Sequence, residues 1–202
     1  SGRTLAGRVS LAGAAALWIE KLTERARQAG YDVSLDDRLH RLLLLRRGAP
    51  TEAIWTSQVE DGTAGQDAGF VLNLPAFMDP GGHFDTAGFA EAVETAVLAL
   101  TFAAPQARDI AVGIADLAGL LAACGVDYGS AAARDIARAL ATILRGRADA
   151  TSAELATKLG ARGQASHDWP SPPAHTMLHG LEAAARAAWT VSRSIGPMHR
   201  RL

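Results

Sequence analysis

Two histidines, His175 and His179, stand four residues apart in "HDWPSPPAHTMLH", a spacing that sets both imidazoles on one face of a helix. His167, or Asp168 beside it, can fold back across Pro170, Pro172 and Pro173 as a third ligand. Imidazole and carboxylate together suit zinc or iron. The residues between the pair are Thr176, Met177 and Leu178, so the glutamate of a zinc hydrolase motif is missing and chance spacing competes with a metal site. Glu52 and Asn73 are two further polar residues with a chemical use. A buried Glu52 would serve as general acid or base, and the Asn73 amide would hold a ligand. Each has a plainer reading, Glu52 as a solvated loop acid and Asn73 as a cap on backbone groups where a strand turns. The one cysteine, Cys124, closes the helical stretch "LAACGV", with no neighbouring cation or second thiol to activate it.

The chain of 202 residues is 49% hydrophobic and 20% charged, with a formal net charge of -1, an ordinary globular balance. No basic face is on offer for a phosphate backbone, and "RLHRLLLLRR" (Arg38–Arg47) has the apolar content of a core helix, so no nucleic-acid partner is expected. A single cysteine excludes a disulfide within the chain and any cysteine cluster for zinc or iron–sulfur, which fits the cytoplasm. No uninterrupted apolar run approaches the ~20 residues of a membrane span. "LAGAAALWI" leads straight into Glu20 and Lys21 without a cleavage site and reads as the start of a helix.

Spacing predicts a first helix from Ser10 to Gln28 and a second capped by Ser34. The second has Asp36 and Asp37 in its first turn, Arg46 and Arg47 in its last, and Gly48 and Pro50 as its stop. "AIWTSQV" and "GFVLNL" read as strands around the polar loop "EDGTAGQDAG", and Asp79–Gly82 as a turn. Helices follow from Asp85 or Thr86 to Phe102, from Pro105 to Cys124, and from Ser130 to Leu144 or Arg147. Another runs from Thr151 or Ser152 to Gly160, with Glu154 completing a capping box, and a last one from Ala174 to Ser194. The expected class is mainly α, about six helices with one or two short strands. One globular domain is expected over 1–202: an N-terminal helical pair (10–47), a central segment (48–163), a proline-rich linker (164–173) and a C-terminal helix with a tail (174–202).

The central segment resembles the large catalytic subunit of ribonucleotide reductases, nearest the adenosylcobalamin-dependent class. "LNLPAF" stands where that family has an active-site strand of the type Asn-Leu-Ala-Ser preceded by a cysteine. Asn73, Leu74 and Ala76 are kept, and Leu72 takes the cysteine's place. "GHFDTAGFAEAVETAVLAL" (Gly82–Leu100) matches the family's turn and helix, while "RDIAVGIADLAGLLAACGVDYGSAAA" and "TSAELATKLGARG" follow later segments loosely. The resemblance covers 48–163 and implies a helical portion of the reductase barrel. It also implies a radical loop at "RGAPTEAIW", where Glu52 stands for the family's glutamate, Gly48 for its asparagine and Pro50 for the thiyl cysteine. Proline has no thiol, and Cys124 lies in the place of an ordinary apolar residue.

From this resemblance and its departures the expectation is a short, degenerate relative with no catalytic residues, metal or cofactor. It is expected to act through a protein partner or as a homo-oligomer in an accessory or regulatory role. Two alternatives stay open: a subunit of a split reductase whose thiols come from another chain, and a metal-dependent enzyme built on the C-terminal histidines.

Overall fold

The structure is a computed structural model that describes residues 17–31, 34–55, 68–107, 109–161, 163–164, 169–195 and 198–199. Helix α1 covers 17–28, followed by α2 (Leu35–Leu44), strand β1 (Gly48–Pro50) and the single turn α3 (Glu52–Trp55). Strand β2 (Gly69–Asn73) runs into a 3-10 turn (Leu74–Phe77), then α4 (Thr86–Ala103), β3 (Ala111–Ala115) and α5 (Leu117–Ala123). The long helix α6 (Ala131–Leu159), the pair β4 (Gly163–Gln164) and β5 (Met198–His199), and α7 (Leu181–Ser194) complete the chain. The mainly helical class holds, with a small mixed sheet set against it. The expected start of the first helix at Ser10 lies outside the described residues.

Helix α4 is the centre of the fold. Asp85 caps it by accepting from the Gly88 N–H at 2.8 Å, as its position before an apolar run predicts. From Thr95 to Ala103 every residue is buried, so no face of that stretch is left polar. The two threonines there return their hydroxyls to the carbonyls four residues back, Thr95 to Glu91 at 2.7 Å and Thr101 to Val97 at 2.8 Å. By length and composition α4 would also qualify as a membrane span, yet 67% of it is buried within the fold, as in a core helix. Phe77, Phe84 and Phe89 close its amino end as a mutual aromatic cluster with centroids 5.4–6.0 Å apart. Arg38 of α2 and Arg147 of α6 both reach Glu94 of α4, at 3.0 and 3.1 Å, and tie three helices together.

Several boundaries differ from the sequence reading. Ser34 makes no side-chain cap bond to α2, and Arg46 and Arg47 lie beyond the helix end. "GAP" is strand β1, whereas "EAIW" is a helical turn and not a strand. Among the described residues none from Pro105 to Asp116 is helical: Ala111–Ala115 form β3, parallel to β2, and the helix is confined to α5. Ser130 does cap α6, accepting from the Ala133 N–H at 3.1 Å. The helix then runs unbroken for 29 residues through the expected new start at Thr151–Ser152. Thr151 sends its hydroxyl back to the Arg147 carbonyl at 2.9 Å, and Thr151 and Ser152 are both buried. Gly160, with φ 81°, stops the helix as predicted. Helix α7 begins at Leu181 instead of Ala174, after Gly180 at φ 80°. The expected C-terminal tail contributes β5, antiparallel to β4.

Candidate functional site

The sheet has the order β1-β2-β3. Gly48 faces Leu72 and Pro50 faces Phe70 in the antiparallel pair, while Leu72 faces Ile114 in the parallel one. Alternation along the strands puts Gly48, Pro50, Phe70 and Leu72 on the inner face, and all four are buried. This fold thus brings together the three positions at which the resemblance expects asparagine and two thiols, and fills them with glycine, proline and leucine. Leu72 and Phe70 are both 0% exposed. A Cβ at Gly48 would stand 2.7 Å from Phe70 Cε1 and 2.8 Å from Leu72 Cδ2. The inner face therefore has no room for an amide side chain at position 48, and the place is packed core and not a cavity.

Glu52 and Asn73 do not converge. Thr51 donates its backbone N–H to Gly69 O at 2.9 Å, so Glu52 follows at the amino end of β2, whereas Asn73 closes its carboxyl end. The length of β2 between those ends is about 13 Å. Glu52 is exposed on its one-turn helix. Asn73 donates its backbone N–H to Arg47 O at 2.8 Å and its side-chain Nδ2 to Arg46 O at 3.2 Å. Its amide thus satisfies backbone at the strand end, the plainer of the two sequence readings.

The carboxyl end of the β2–β3 pair holds polar residues that sequence reasoning missed. Arg46 sits at φ 54°. Its N–H bonds to Leu43 O at 3.1 Å and that of Arg47 to Leu42 O at 2.9 Å, the Schellman closure of α2 with arginine where glycine is usual. This closure aims Arg47 across the strand end. Its Nη1 meets Asp85 Oδ2 at 2.8 Å, its Nε donates to Ala76 O at 3.2 Å, and its guanidinium lies 4.8 Å from the Phe77 ring centre. A Cβ at Gly88 would come 2.2 Å from Asp85 Oδ2 and 2.7 Å from Arg47 Nη1, so glycine there makes room for the pair. Beside them Asp116, at φ 60°, caps α5 by accepting from the Gly119 N–H at 2.9 Å. The readable signal was Gly88 at the third helical position, where a capping box would carry Glu or Gln. These contacts lock a cap and a turn; Arg47 and Asp85 are spent on each other.

His167 lies outside the described residues. His175 and His179 do not share a helical face, because 174–180 is not helical. The Thr176 hydroxyl lies 2.8 Å from both Leu178 O and Glu182 Oε2. The Glu182 carboxyl is held below its ordinary range by its own backbone N–H first and the Thr176 hydroxyl second, with smaller contributions from His179 and His175. Among the described residues no group of three His, Cys, Asp or Glu side chains is placed to hold a metal ion. Burial pushes the Cys124 thiol up, away from thiolate character. An open groove of about 920 Å³ along α1 and α2, bordered by Glu24, Arg25, Asp36 and His40, includes none of these candidates.

The sequence model of the family described as "Ribonucleotide reductase, barrel domain" matches residues 71–186, from within β2 to within α7. Leu72 and Asn73 fall inside the match, and Gly48, Pro50 and Glu52 precede it. No curated protein matches the chain.

Proposed function

Since the chain belongs to the ribonucleotide reductase barrel-domain family, we propose that it keeps part of that scaffold without the family's radical reaction and acts by protein association. The observation that carries this reading is the inner face of the sheet, where Gly48, Pro50, Phe70 and Leu72 are buried, no thiol is among them, and a Cβ at Gly48 would clash with Phe70 and Leu72. A thiyl mechanism needs a sulfur that gives up and regains a hydrogen atom beside the substrate. Neither a proline ring nor a leucine side chain supplies one. Cys124 is half-buried at the end of α5, and its thiol is shifted away from ionisation.

Within the family we read the chain as nearest the adenosylcobalamin-dependent class, a reading that the likeness at "LNLPAF" supports. The residues present do not fit a use of that cofactor, because neither position 50 nor position 72 carries a hydrogen-atom donor. Association is supported by apolar side chains that ordered elements hold out to solvent: Leu44 and Leu45 at the carboxyl end of α2, and Val71 with Ala49 on the sheet's outer face. A lone, half-buried cysteine suits a reducing compartment such as the cytoplasm.

The test is an assay of ribonucleotide reduction by the pure chain, with adenosylcobalamin or another radical source and a dithiol reductant. No deoxyribonucleotide is expected above a protein-free control. Turnover that survives further purification would contradict the reading. Turnover that appears only on adding a second, separately inactive chain would assign this one to a split reductase instead.

A further inference from the structure

The sheet has two edges, and they differ. In the β1–β2 pair Thr51 and Asn73 mark the bonded rows, since Thr51 N–H bonds to Gly69 O and Asn73 N–H to Arg47 O. Gly48 and Pro50 therefore turn their backbone outward on β1, and Pro50 has no N–H to offer. On the other side Ala111 N–H bonds to Ala68 O at 2.9 Å. In a parallel ladder this commits Ala111, Gly113 and Ala115 to β2 and leaves the N–H and C=O groups of Val112 and Ile114 at the free edge. These four groups have no backbone partner among the described residues. The Val112 and Ile114 side chains pack against the core and are only partly covered. Ala111 and Ala115 are exposed, and a Cβ at Gly113 would have nothing within 4 Å.

We propose that this edge pairs with β3 of a second copy, antiparallel about a twofold axis at Gly113. The inference rests on the reading that the chain acts by association, and it names the partner. The sequence "AVGIA" is close to a palindrome. In this register Val112 and Ile114 of one copy exchange bonds with Ile114 and Val112 of the other, and every free edge group of both strands is used. Ala111 faces Ala115, and Gly113 faces itself at the close, non-bonded pair, where a side chain would crowd its own copy. The partly covered Val112 and Ile114 side chains gain each other as neighbours. Asp109 and Asp116, the acids flanking the strand, fall opposite Leu117 and Ile110 of the second copy and not opposite each other. The sheet then runs through six strands and ends at β1 on both sides, where proline blocks further growth. A five-residue edge is a small contact, so the dimer is of the weak, concentration-dependent kind.

The test uses Gly113→Lys and Gly113→Glu, which add side chains on the open face, with unchanged far-UV circular dichroism as the control for folding. In sedimentation equilibrium up to about 0.2 mM, the unaltered chain dimerises, each variant alone associates about tenfold more weakly, and an equimolar mixture of the two regains the dimer. Ala49→Lys, on the same face but on β1, leaves the dimer as it is. A chain that stays monomeric throughout overturns the inference, as does a dimer indifferent to both charges at position 113. Neither outcome touches the non-catalytic reading, which stands or falls on the reductase assay.

Discussion

Gly146→Leu is expected to lower the stability of the fold by about 4 kcal/mol, and Gly146→Ala by about 2 kcal/mol. The alanine result would reverse the usual order, since alanine is favoured over glycine inside a helix by about 1 kcal/mol. The reason is the crossing of α6 and α7. A Cβ at Gly146 would stand 2.5 Å from Ala188 O, 2.7 Å from Ala188 C and 2.8 Å from Ala188 Cβ. Two of those atoms are backbone, so no rotamer change relieves the clash and α7 must move as a body. Its buried face, Leu181, Ala185, Ala188 and Ser192, moves with it. Urea unfolding followed by far-UV circular dichroism and by tryptophan emission, to which Trp189 of α7 contributes, measures the change. A Gly146→Ala protein more stable than the parent would mean that α7 does not approach α6 at this point.

Asp149→Ala is expected to cost about 3 kcal/mol. Asp149 is 0% exposed on α6, and its two oxygens are divided between helices. Oδ2 accepts from Ser192 Oγ of α7 at 2.6 Å, and Oδ1 accepts from Arg145 Nε, one turn back, at 2.9 Å. Alanine strands the buried Ser192 hydroxyl without an acceptor and leaves a gap between the helices. Arg145 is 40% exposed and finds water instead, so the lost ion pair is the smaller part. Asp149→Asn, which keeps an acceptor for Ser192, should therefore cost only about 1 kcal/mol. The double variant Asp149→Ala, Ser192→Ala should cost less than the sum of its singles by about 1 kcal/mol. Additive costs in the denaturant titration would show that the two side chains do not share this bond.

Gly146 and Asp149 sit in a helix that the sequence reading interrupts before Thr151, which shows where local signals fail. Thr151, Ser152 and Glu154 spell a capping box, and an exposed segment would use it. Here Ser152, Leu155 and Ala156 are buried, so packing and a back-bonded threonine override the cap. Strand β3 was hidden for a similar reason. "AVGIA" between Pro105 and a leucine-rich helix has no alternation to read, and its strand state comes from lying beside β2. Helix α7 starts late because Thr176 is engaged with Leu178 and Glu182 and Gly180 adopts a left-handed turn. By contrast Asp85, Ser130 and Gly160 were legible, since caps and stops act within a few residues.

The site divides in the same way. Pro50 and Leu72 could be read directly as residues without sulfur at the two places where the resemblance expects thiols. The Asn73 amide bonding the Arg46 carbonyl was one of two local options that the sequence left open. The Arg47–Asp85 pair joins residues 38 positions apart across a strand end, a contact that only the assembled fold creates. The closeness of Gly48 to Leu72 likewise depends on β1 pairing with β2.

The central claim is that Leu72, where the resemblance expects a thiol on β2, points into packed core and not into a substrate cavity. Reactivity of engineered cysteines toward a water-soluble maleimide, in a Cys124→Ala background, measures this directly. Leu72 is 0% exposed and its neighbour Val71 is 42% exposed on the opposite face of the same strand. The account predicts that a Leu72→Cys thiol is labelled about a hundredfold more slowly than a Val71→Cys thiol and reaches the same rate only on unfolding. Equal rates in the folded protein would place an open pocket at residue 72 and contradict the account.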